Sequence, residues 1–383
     1  MSGVLDGIRI IDLTQMVAGP LATLILADMG AEVIKIEPPE GDSGRLIGRN
    51  RPGGESDYHL AMNRNKRSVV LDLKTAEGVA MCKALAAGAD IVIENFRPGT
   101  MEKFGLGYAS LKQSNPRLIY CAVSGFGSHG PYRDRPALDP VIQAMSGYMQ
   151  LNGTPETGPL KSGALHADFT TPLFAVIGIL GALRARDTSG HGQAVEVSMM
   201  DAVIFTMTPR EQYYFATGTP PARTGNAHYQ LAPYNAYATA DDRHLMVIAH
   251  NDKYWRGLVK AIDRPALLTD ARFIDGPTRF ANRAELDAIL TQAFAGATLE
   301  QWLERLSRAD TLFAPVRDFE QVFSDPQVRE TMVATVEHPV AGRIDMLRTP
   351  IRMETNPLTV RSRPPLLGEH TEEVLTELRD RKR

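Results

Sequence analysis

The first half of the chain alternates short β-branched runs with helical stretches, and this alternation constrains the fold more than any other feature. The β-branched run at 8–13 is followed by an apolar helical stretch at 21–29 and a second run at 33–36. Further strand-like segments lie at 69–73, 90–94 and 118–124. Strands that alternate with helices form parallel, doubly wound sheets, whose ligands bind beyond the carboxyl ends of the strands. We therefore predict an α/β fold with its active site on those loops.

The pattern changes near residue 207. A loop rich in Gly, Pro and Asn is followed by a predicted strand pair and by helices, at 234–238, 245–249, 253–262, 284–294 and 299–309. This order of elements is typical of a smaller α+β domain. Periodicity alone does not decide whether the tail from residue 314 rejoins the first domain.

Composition excludes several classes of protein. A formal net charge of -3 over 383 residues gives no sign of a nucleic-acid or membrane-surface protein. The two cysteines, Cys82 and Cys121, form no CxxC pair and have no histidine at zinc-ligand spacing, so we expect neither a disulfide framework nor a structural metal. No basic-then-apolar leader is present, and no apolar run approaches the roughly 20 residues of a membrane span. We expect a cytoplasmic location.

The loop after the first strand lacks the glycine motifs of nucleotide enzymes. It holds the single glycine Gly19 where a dinucleotide enzyme carries GxGxxG, and the chain has no GxxxxGK[ST]. Gly19 and Pro20 instead predict a tight turn into a helix, with proline at the first helical position and free backbone N–H groups above it. A purely structural turn is the alternative.

The strongest local signal of a site is Asp168, which stands just before the apolar stretch 173–183. One interpretation is that Asp168 is the N-cap of that helix. The other is that the helix dipole and N–H groups keep the carboxylate ionised and available as a nucleophile. The two interpretations are compatible. His166 lies two residues away, but this spacing alone does not bring its ring to the carboxylate, so a general base there is disfavoured.

Several short segments together resemble family III CoA-transferases, also called the carnitine-dehydratase and bile-acid-inducible protein family. No single segment is diagnostic, but their order and spacing match nearly from end to end. The segments are Asp12 to Thr14, Ala18 to Pro20, Leu26 to Glu37, Asn65 to Ser68, Leu71 to Lys74, Glu94 to Gly99, Ser124 to Gly127, Arg223 to Asn226 and Pro365 to Thr371.

This resemblance implies a fold and an assembly. Family members have ring-shaped subunits in an interlocked homodimer, each with a Rossmann-like large domain built on a parallel sheet and a smaller α+β domain. The implied domains are 1–206 for the first part of the large CoA-binding domain, 207–313 for the small domain, and 314–383 for the return to the large domain.

The resemblance also implies site residues. The nucleophilic aspartate of the family matches Asp168, and an acidic residue that supports it matches Asp139, for which a helix N-cap before Val141 is the alternative. The matched CoA-binding positions are Gln15, Met16, Val17, Ala18, Leu73, Lys74, Asn95, Phe96 and Arg97, with Lys103 near the phosphate-binding cation of the family.

The implied activity is transfer of CoA from an acyl-CoA donor, succinyl-CoA among the candidates, to a carboxylic acid, through anhydride and thioester intermediates on Asp168. Acyl-CoA is then a substrate, and neither a prosthetic group nor a metal is expected. One alternative is an α-methylacyl-CoA racemase of the same fold. Racemases carry a proton-accepting histidine where this chain has Leu138, and leucine accepts no proton. A non-catalytic acyl-CoA-binding protein is the other, and it would be expected to lack Asp168.

Departures from the family pattern bear on the substrate. Oxalate-using members carry glutamine where this chain has Val17, and a run of glycines in the small domain that this chain lacks. The resemblance therefore disfavours oxalate. We expect the segment 223–229 to face the acyl group, where its cationic and hydrogen-bonding side chains suit a dicarboxylate such as succinate.

Overall fold

The computed structural model describes residues 3–380, and its strands follow the predicted alternation. They are β1 (Arg9–Asp12), β2 (Glu32–Glu37), β3 (Lys66–Val70), β4 (Ile91–Glu94), β5 (Ile119–Ser124), β6 (Ala194–Ser198), β7 (Tyr234–Ala238), β8 (His244–Ile248), β9 (Leu312–Pro315), β10 (Val333–His338) and β11 (Gly342–Leu347). The strand predicted at 69–73 was placed too late. It begins at Lys66, because the charged side chains there are buried as ion pairs that the sequence pattern does not reveal.

The helices are α1 (Ala18–Asp28), α2 (Asp57–Met62), α3 (Ala76–Ala87), α4 (Thr100–Lys103), α5 (Tyr108–Ser114), α6 (Asp139–Met145), α7 (Tyr148–Leu151), α8 (His166–Ser189), α9 (Met199–Phe205), α10 (Arg210–Thr217), α11 (Asp252–Ala261), α12 (Gly276–Ala281), α13 (Arg283–Phe294), α14 (Leu299–Ser307), α15 (Phe319–Ser324), α16 (Pro326–Met332) and α17 (Thr371–Asp380). Helix α1 begins at Ala18, so Pro20 is its third residue and the prediction of proline at the first position was wrong. Short 3-10 turns lie at Ser43–Arg45, Pro52–Gly54 and Pro265–Leu268.

The predicted parallel sheet is confirmed as a six-stranded sheet in the order β3-β2-β1-β4-β5-β6. Strands β1 and β4 are neighbours although β2 and β3 come between them in sequence. The chain therefore reverses its direction of travel across the sheet at this pair, and such a switch point opens a crevice at the carboxyl ends of the two strands. The loops after β1 and β4 both lead from that crevice.

Helices cover both faces of this sheet, as parallel strands require. On one face, α1 and α8 pack their apolar residues against the strands, with Ile10, Leu26, Ile93 and Ile179 fully buried. On the other face, α3, α5 and α17 enclose a second core. Both faces are buried, so charged side chains within β2 and β3 must find partners inside the protein.

Contacts divide the chain into two units. The first contains the residues up to Met149, Lys161–Ala216 and the chain from Pro326 onward; the second contains Gln150–Leu160 and Thr217–Asp325. The domain boundaries predicted at 206/207 and 313/314 thus differ from the changes of unit at 216/217 and 325/326. Strand β9 is a reason for the second difference, since it pairs with β8 inside the second unit.

The second unit has the predicted α+β character. Strands β7, β8 and β9 form an antiparallel sheet, and the predicted strand pair at 234–238 and 245–249 is confirmed as its first two strands. Helices α11, α13 and α14 supply the apolar partners of this sheet, including Trp255, Phe294 and Trp302.

Helix α8 is longer than the helix predicted at 173–183. By length and composition alone it could cross a membrane, and it is the one helix in residues 3–380 that passes this test. Buried core helices pass the same test, and α8 contributes Ala175, Val176, Ile179 and Leu183 to the core against the sheet. This packing is that of a core helix.

Candidate active site

Asp168 lies in the first turn of α8, where it is half-buried. The N-cap of the helix is Leu165, so the interpretation of Asp168 as the cap was wrong. Burial, reinforced by the negative charge of Asp139, raises the pKa of Asp168 to about 6. The helix dipole predicted to keep this carboxylate ionised is therefore outweighed by desolvation and by a like charge. At neutral pH the carboxylate is still largely ionised, and it is more basic than an ordinary aspartate.

Asp139 is the first residue of α6, and its carboxylate caps α8 instead of its own helix. Its Oδ1 accepts hydrogen bonds from the backbone N–H of Ala167 at 2.7 Å and of Asp168 at 3.4 Å. Its Oδ2 accepts one from Nε2 of Gln143 at 2.6 Å. The alternative role, a cap of α6 before Val141, is not seen, because Leu138 occupies the N-cap position. The structure thus brings the two predicted carboxylates together at the start of α8.

Pro172 affects the backbone around Asp168. It lies inside α8, four residues after Asp168, and a proline has no N–H to donate. The Asp168 carbonyl oxygen therefore lacks its usual helical donor. In the same turn, the hydroxyl of Thr170 donates to the His166 carbonyl at 2.8 Å, and the hydroxyl of Thr171 donates to the Ala167 carbonyl at 2.6 Å.

His166 is engaged elsewhere. Its ring stacks on Tyr148 with centroids 4.1 Å apart, and its Nε2 lies 3.1 Å from the hydroxyl of Thr206. Burial lowers the pKa of His166, which favours the neutral form of the ring. Within residues 3–380 no hydrogen bond joins His166 to Asp168, as expected if the histidine is not its general base.

The predicted CoA-binding residues Gln15, Met16 and Val17 form the loop between β1 and α1. Asn95 holds this loop across the switch point, because its Oδ1 accepts the Gln15 N–H at 2.8 Å while its Nδ2 donates to the Gln15 carbonyl at 2.9 Å. Met16 has a φ of 68°, and Asp42 accepts its N–H at 3.1 Å. The Asn95 amide therefore positions the loop.

The start of α1 presents backbone donors. Val17 is the N-cap residue and makes no side-chain cap, so the N–H groups of the first turn, including those of Ala18 and Gly19, have no acceptor within the helix. Glycine is required at position 19, because a Cβ there would collide with the Thr14 side chain. This close approach keeps the first turn of α1 against the end of β1.

The other predicted CoA contacts lie on neighbouring loops at the same edge of the sheet. Leu73 and Lys74 follow β3, Phe96 and Arg97 follow β4, and Lys103 ends α4. The three cations among them are exposed, and across residues 3–380 no ion pair is formed by any of the three. No hydrogen bond joins Lys74 or Lys103 to the Gln15 loop in that range.

A buried ionic network beneath the Gln15 loop was missed. Lys66 is fully buried and donates to Asp12 at 3.1 Å, while Lys35 contacts Asp42 at 2.9 Å and the Thr14 carbonyl at 2.7 Å. Burial lowers the pKa of Lys66 to about 8. The available signal was Lys35 within the apolar run of β2, since a lysine in a strand buried on both faces must be paired.

Glu94 and Gln143 were also not predicted from the sequence as functional residues. Glu94, at the end of β4, accepts the Phe96 N–H at 2.7 Å, and burial raises its pKa to about 7. Gln143 follows Asp139 by four residues on the same helix. This spacing places two side chains on one face, so it could have predicted a contact between Gln143 and Asp139.

These features define an α/β protein with a carboxylate as its candidate reactive group and a pinned, glycine-poor loop at the switch point of its sheet. The family model described as CoA-transferase family III matches residues 5–371. The chain belongs to CoA-transferase family III. The predicted family and enzyme class are thereby confirmed.

Similar proteins agree over almost the whole chain. A succinate–glutarate CoA-transferase from Agrobacterium fabrum is 38% identical, covering 98% of this chain and 95% of its own length. A succinyl-CoA:mesaconate CoA-transferase from Haloarcula marismortui is 37% identical, covering 98% and 96%. A crystal structure of a CaiB/BaiF family protein from Brucella suis has a TM-score of 0.88 and 36% identity, covering 99% of this chain and 100% of that one.

Proposed function

We propose that this enzyme moves CoA from an acyl-CoA to a carboxylic acid by using Asp168 as a covalent carrier. The observation that carries the proposal is the state of Asp168, a half-buried carboxylate in the first turn of α8 whose pKa is raised to about 6 by burial and by Asp139. Such a carboxylate is ionised at pH 7 but more basic than an exposed one, which favours its attack on a carbonyl.

The proposed reaction begins when an Asp168 oxygen attacks the thioester carbonyl of the donor. The C–S bond breaks, CoA leaves as a thiolate, and an acyl-aspartyl anhydride remains. The thiolate then attacks the aspartyl carbonyl, releasing the donor acid and leaving an aspartyl-CoA thioester. The acceptor carboxylate attacks this thioester, and the same two steps run in reverse to give the new acyl-CoA and free Asp168. Neither electrons nor protons are left over, so this chemistry calls for no prosthetic group.

The proposed oxyanion donors are the N–H groups at the start of α1. Each attack places negative charge on a carbonyl oxygen, and fixed backbone donors stabilise that charge without reorganising. Asn95 and Asp42 make hydrogen bonds to the backbone of Gln15 and Met16 in the preceding loop. These bonds support the proposal that the donors at the start of α1 are held in fixed positions. Lys74, Arg97 and Lys103 are exposed and form no ion pair within residues 3–380, and such cations suit the phosphates of CoA.

The proposed substrates are succinyl-CoA as donor and a dicarboxylic acid as acceptor. The two relatives described above are named for succinate or succinyl-CoA together with glutarate or mesaconate. Succinate, glutarate and mesaconate are dicarboxylic acids. The segment 223–229 contains Arg223 and His228, and its cationic and hydrogen-bonding side chains suit a dicarboxylic acid.

The proposed assembly is an interlocked homodimer of ring-shaped subunits, in the cytoplasm. Support comes from an apolar stripe on α8, where Phe169, Leu173 and Ile177 are 45%, 52% and 63% exposed at steps of four residues. A second copy would cover this stripe, which begins next to Asp168. The two free, buried cysteines fit a reducing compartment. Light scattering should give the mass of a dimer, and a monomer at micromolar concentration would contradict the assembly.

A panel of substrates tests the activity. Purified enzyme is incubated with succinyl-CoA and one acceptor acid at a time, chosen from glutarate, mesaconate, oxalate, acetate and butyrate, and the new acyl-CoA is measured by chromatography. We expect products from the five-carbon dicarboxylates glutarate and mesaconate and none from the monocarboxylates. Products from monocarboxylates alone would refute the dicarboxylate proposal. Exchange of an α-proton with heavy water in the absence of transfer would favour the racemase.

A further inference from the structure

Gln143 lies at the centre of a hydrogen-bonded connection that the transfer reaction does not directly use. Its side chain is fully buried in α6. Nε2 donates to Oδ2 of Asp139 at 2.6 Å, and Oε1 accepts the backbone N–H of Ser162 at 2.8 Å. Because Ser162 N–H can only donate, the amide oxygen must face it and the NH₂ group must face Asp139. The orientation of the amide is thereby fixed.

Gln143 and Asp139 make hydrogen bonds to both ends of the segment 162–167, which precedes the nucleophile Asp168. Gln143 holds the N–H of Ser162, while Asp139, one helical turn earlier, holds the N–H of Ala167 at 2.7 Å. Two side chains from one turn of α6 therefore fix the two ends of this segment. The segment has no regular structure before His166, so these two side chains supply contacts that a helix or strand would otherwise provide.

We propose that Gln143 is a positioning residue for acyl transfer: it holds the Asp139 carboxylate in place and so sets the position of Asp168. The inference rests on the proposed function. Gln143 makes no contact with the reacting atoms and acts through Asp139. An amide is suited to this position because it donates to one partner and accepts from the other without carrying charge.

The charges around the nucleophile are few. Helix α8 packs against α1, α6, α9, β5 and β6, and of these Asp139 on α6 supplies the charge that acts on Asp168 within residues 3–380. On α8 itself, His166 also responds to Asp139. A change in the charge or orientation of Asp139 should therefore appear directly in the titration of Asp168.

Two substitutions separate positioning from mere stability. Gln143→Met keeps the approximate size of the side chain but removes both hydrogen bonds. Gln143→Glu introduces a carboxyl that, beside Asp139, shares one proton at neutral pH and so still donates to it. Gln113→Met, at an exposed position on α5, is the matched control.

The experiment measures the rate of formation of the hydroxylamine-trapped adduct from succinyl-CoA, from pH 5 to 9. The wild type and the control should rise through a midpoint of about 6, where Asp168 ionises, and then stay level. Gln143→Met should react about tenfold or more slowly, with a lower midpoint, because the Asp139 carboxylate is no longer held in place beside Asp168. Gln143→Glu should approach the wild-type rate at pH 7 and fall at alkaline pH, where its shared proton is lost.

The inference would be overturned if Gln143→Met had the reaction rate and the pH midpoint of the wild type. It would also be overturned if the variant lost only the amount of active protein and kept the wild-type pH midpoint. Urea unfolding of each variant identifies that second case. If the wild type reacts and the variants match it, only this inference is lost. If the wild type itself forms no adduct with any acyl-CoA, the proposed function fails, and this inference fails with it.

Discussion

The acidic cluster beneath the Gln15 loop and the acidic cluster at the start of α8 both lie in the first unit, and they differ in the presence of cations. Burial alone would raise the pKa of Asp12, but Lys66 and Lys35 lower it, and Lys35 likewise lowers that of Asp42. At the start of α8 no cation among residues 3–380 compensates burial, so burial and the charge of Asp139 raise the pKa of Asp168 to about 6.

The difference separates a structural from a reactive use of the same side chain. A buried carboxylate with a lysine partner is held ionised and is not free to react, and its loss leaves an uncompensated charge. A half-buried carboxylate beside another carboxylate is more basic and is available to attack. The cations follow the same division, since those paired inside β2 and β3 support the loop, while Arg97 and Lys103 are exposed and unpaired across residues 3–380.

The largest expected effect comes from Asp168→Asn. This substitution preserves the shape of the side chain but removes the nucleophile, so CoA transfer should fall by roughly 1,000-fold or more. Steady-state formation of the product acyl-CoA measures the effect. Asp187→Asn, at an exposed position on the same helix, is the control and should leave the rate unchanged. If the Asp168 variant retained CoA transfer, the cluster at the start of α8 would not be the reactive one, and the contrast between a structural and a reactive cluster would fail.

Lys66→Met should mainly reduce stability. Removing one partner of a buried ion pair leaves Asp12 undercompensated and costs about 3–5 kcal/mol in the free energy of unfolding. Urea denaturation of the purified variant checks this value, with the exposed Lys83→Met as control. A loss below about 1 kcal/mol, the value of an exposed pair, would mean that the network is not the structural element described here.

Arg97→Gln should act on binding. A charge-assisted contact to a phosphate contributes about 1.5–3 kcal/mol, so the KM for acyl-CoA should rise roughly tenfold while kcat stays nearly constant. The difference should shrink at high ionic strength, because salt screens exposed charges. Arg117→Gln, at the opposite edge of the sheet before β5, is the control. A fall in kcat with KM unchanged would contradict a binding role.

The smallest expected effect is a gain in stability from Asp168→Asn. A carboxyl whose pKa is raised on folding destabilises the folded state above that pKa, and this cost disappears as the pH falls below the unfolded value of about 3.8. The variant should therefore be more stable than the wild type by about 1 kcal/mol at pH 8, a figure reduced for partial exposure, and no more stable near pH 4. Unfolding at the two pH values measures it, and an equal gain at both would contradict a raised pKa.

The sequence predicts the sheet well because its signals are local. The β-branched runs of β2, β4 and β5 lie between turns, and the predicted limits agree with the structure to within a residue at each end. The same pattern misplaced β3, because Lys66 and Arg67 are buried with carboxylates that are distant in sequence. Periodicity contains no information on such partners.

The two carboxylates of the candidate site were predicted from the sequence, but their arrangement was not. The family pattern selects Asp168 and Asp139, whereas the hydrogen bonds that join them depend on the meeting of α6 and α8. Asn95 shows the same limit, since its residue type suggests a ligand contact and its two hydrogen bonds go to the Gln15 backbone. Roles that arise from tertiary contacts could not be predicted from the sequence alone.

The central claim is that Asp168 becomes covalently attached to substrate. Intact-mass spectrometry of the wild type and Asp168→Asn after incubation with succinyl-CoA, followed by a hydroxylamine quench and peptide mapping, tests it directly. We predict a hydroxamate on the wild-type peptide that contains Asp168, and none in the variant. An adduct on a different residue, or transfer that proceeds with no adduct at all, would contradict the account.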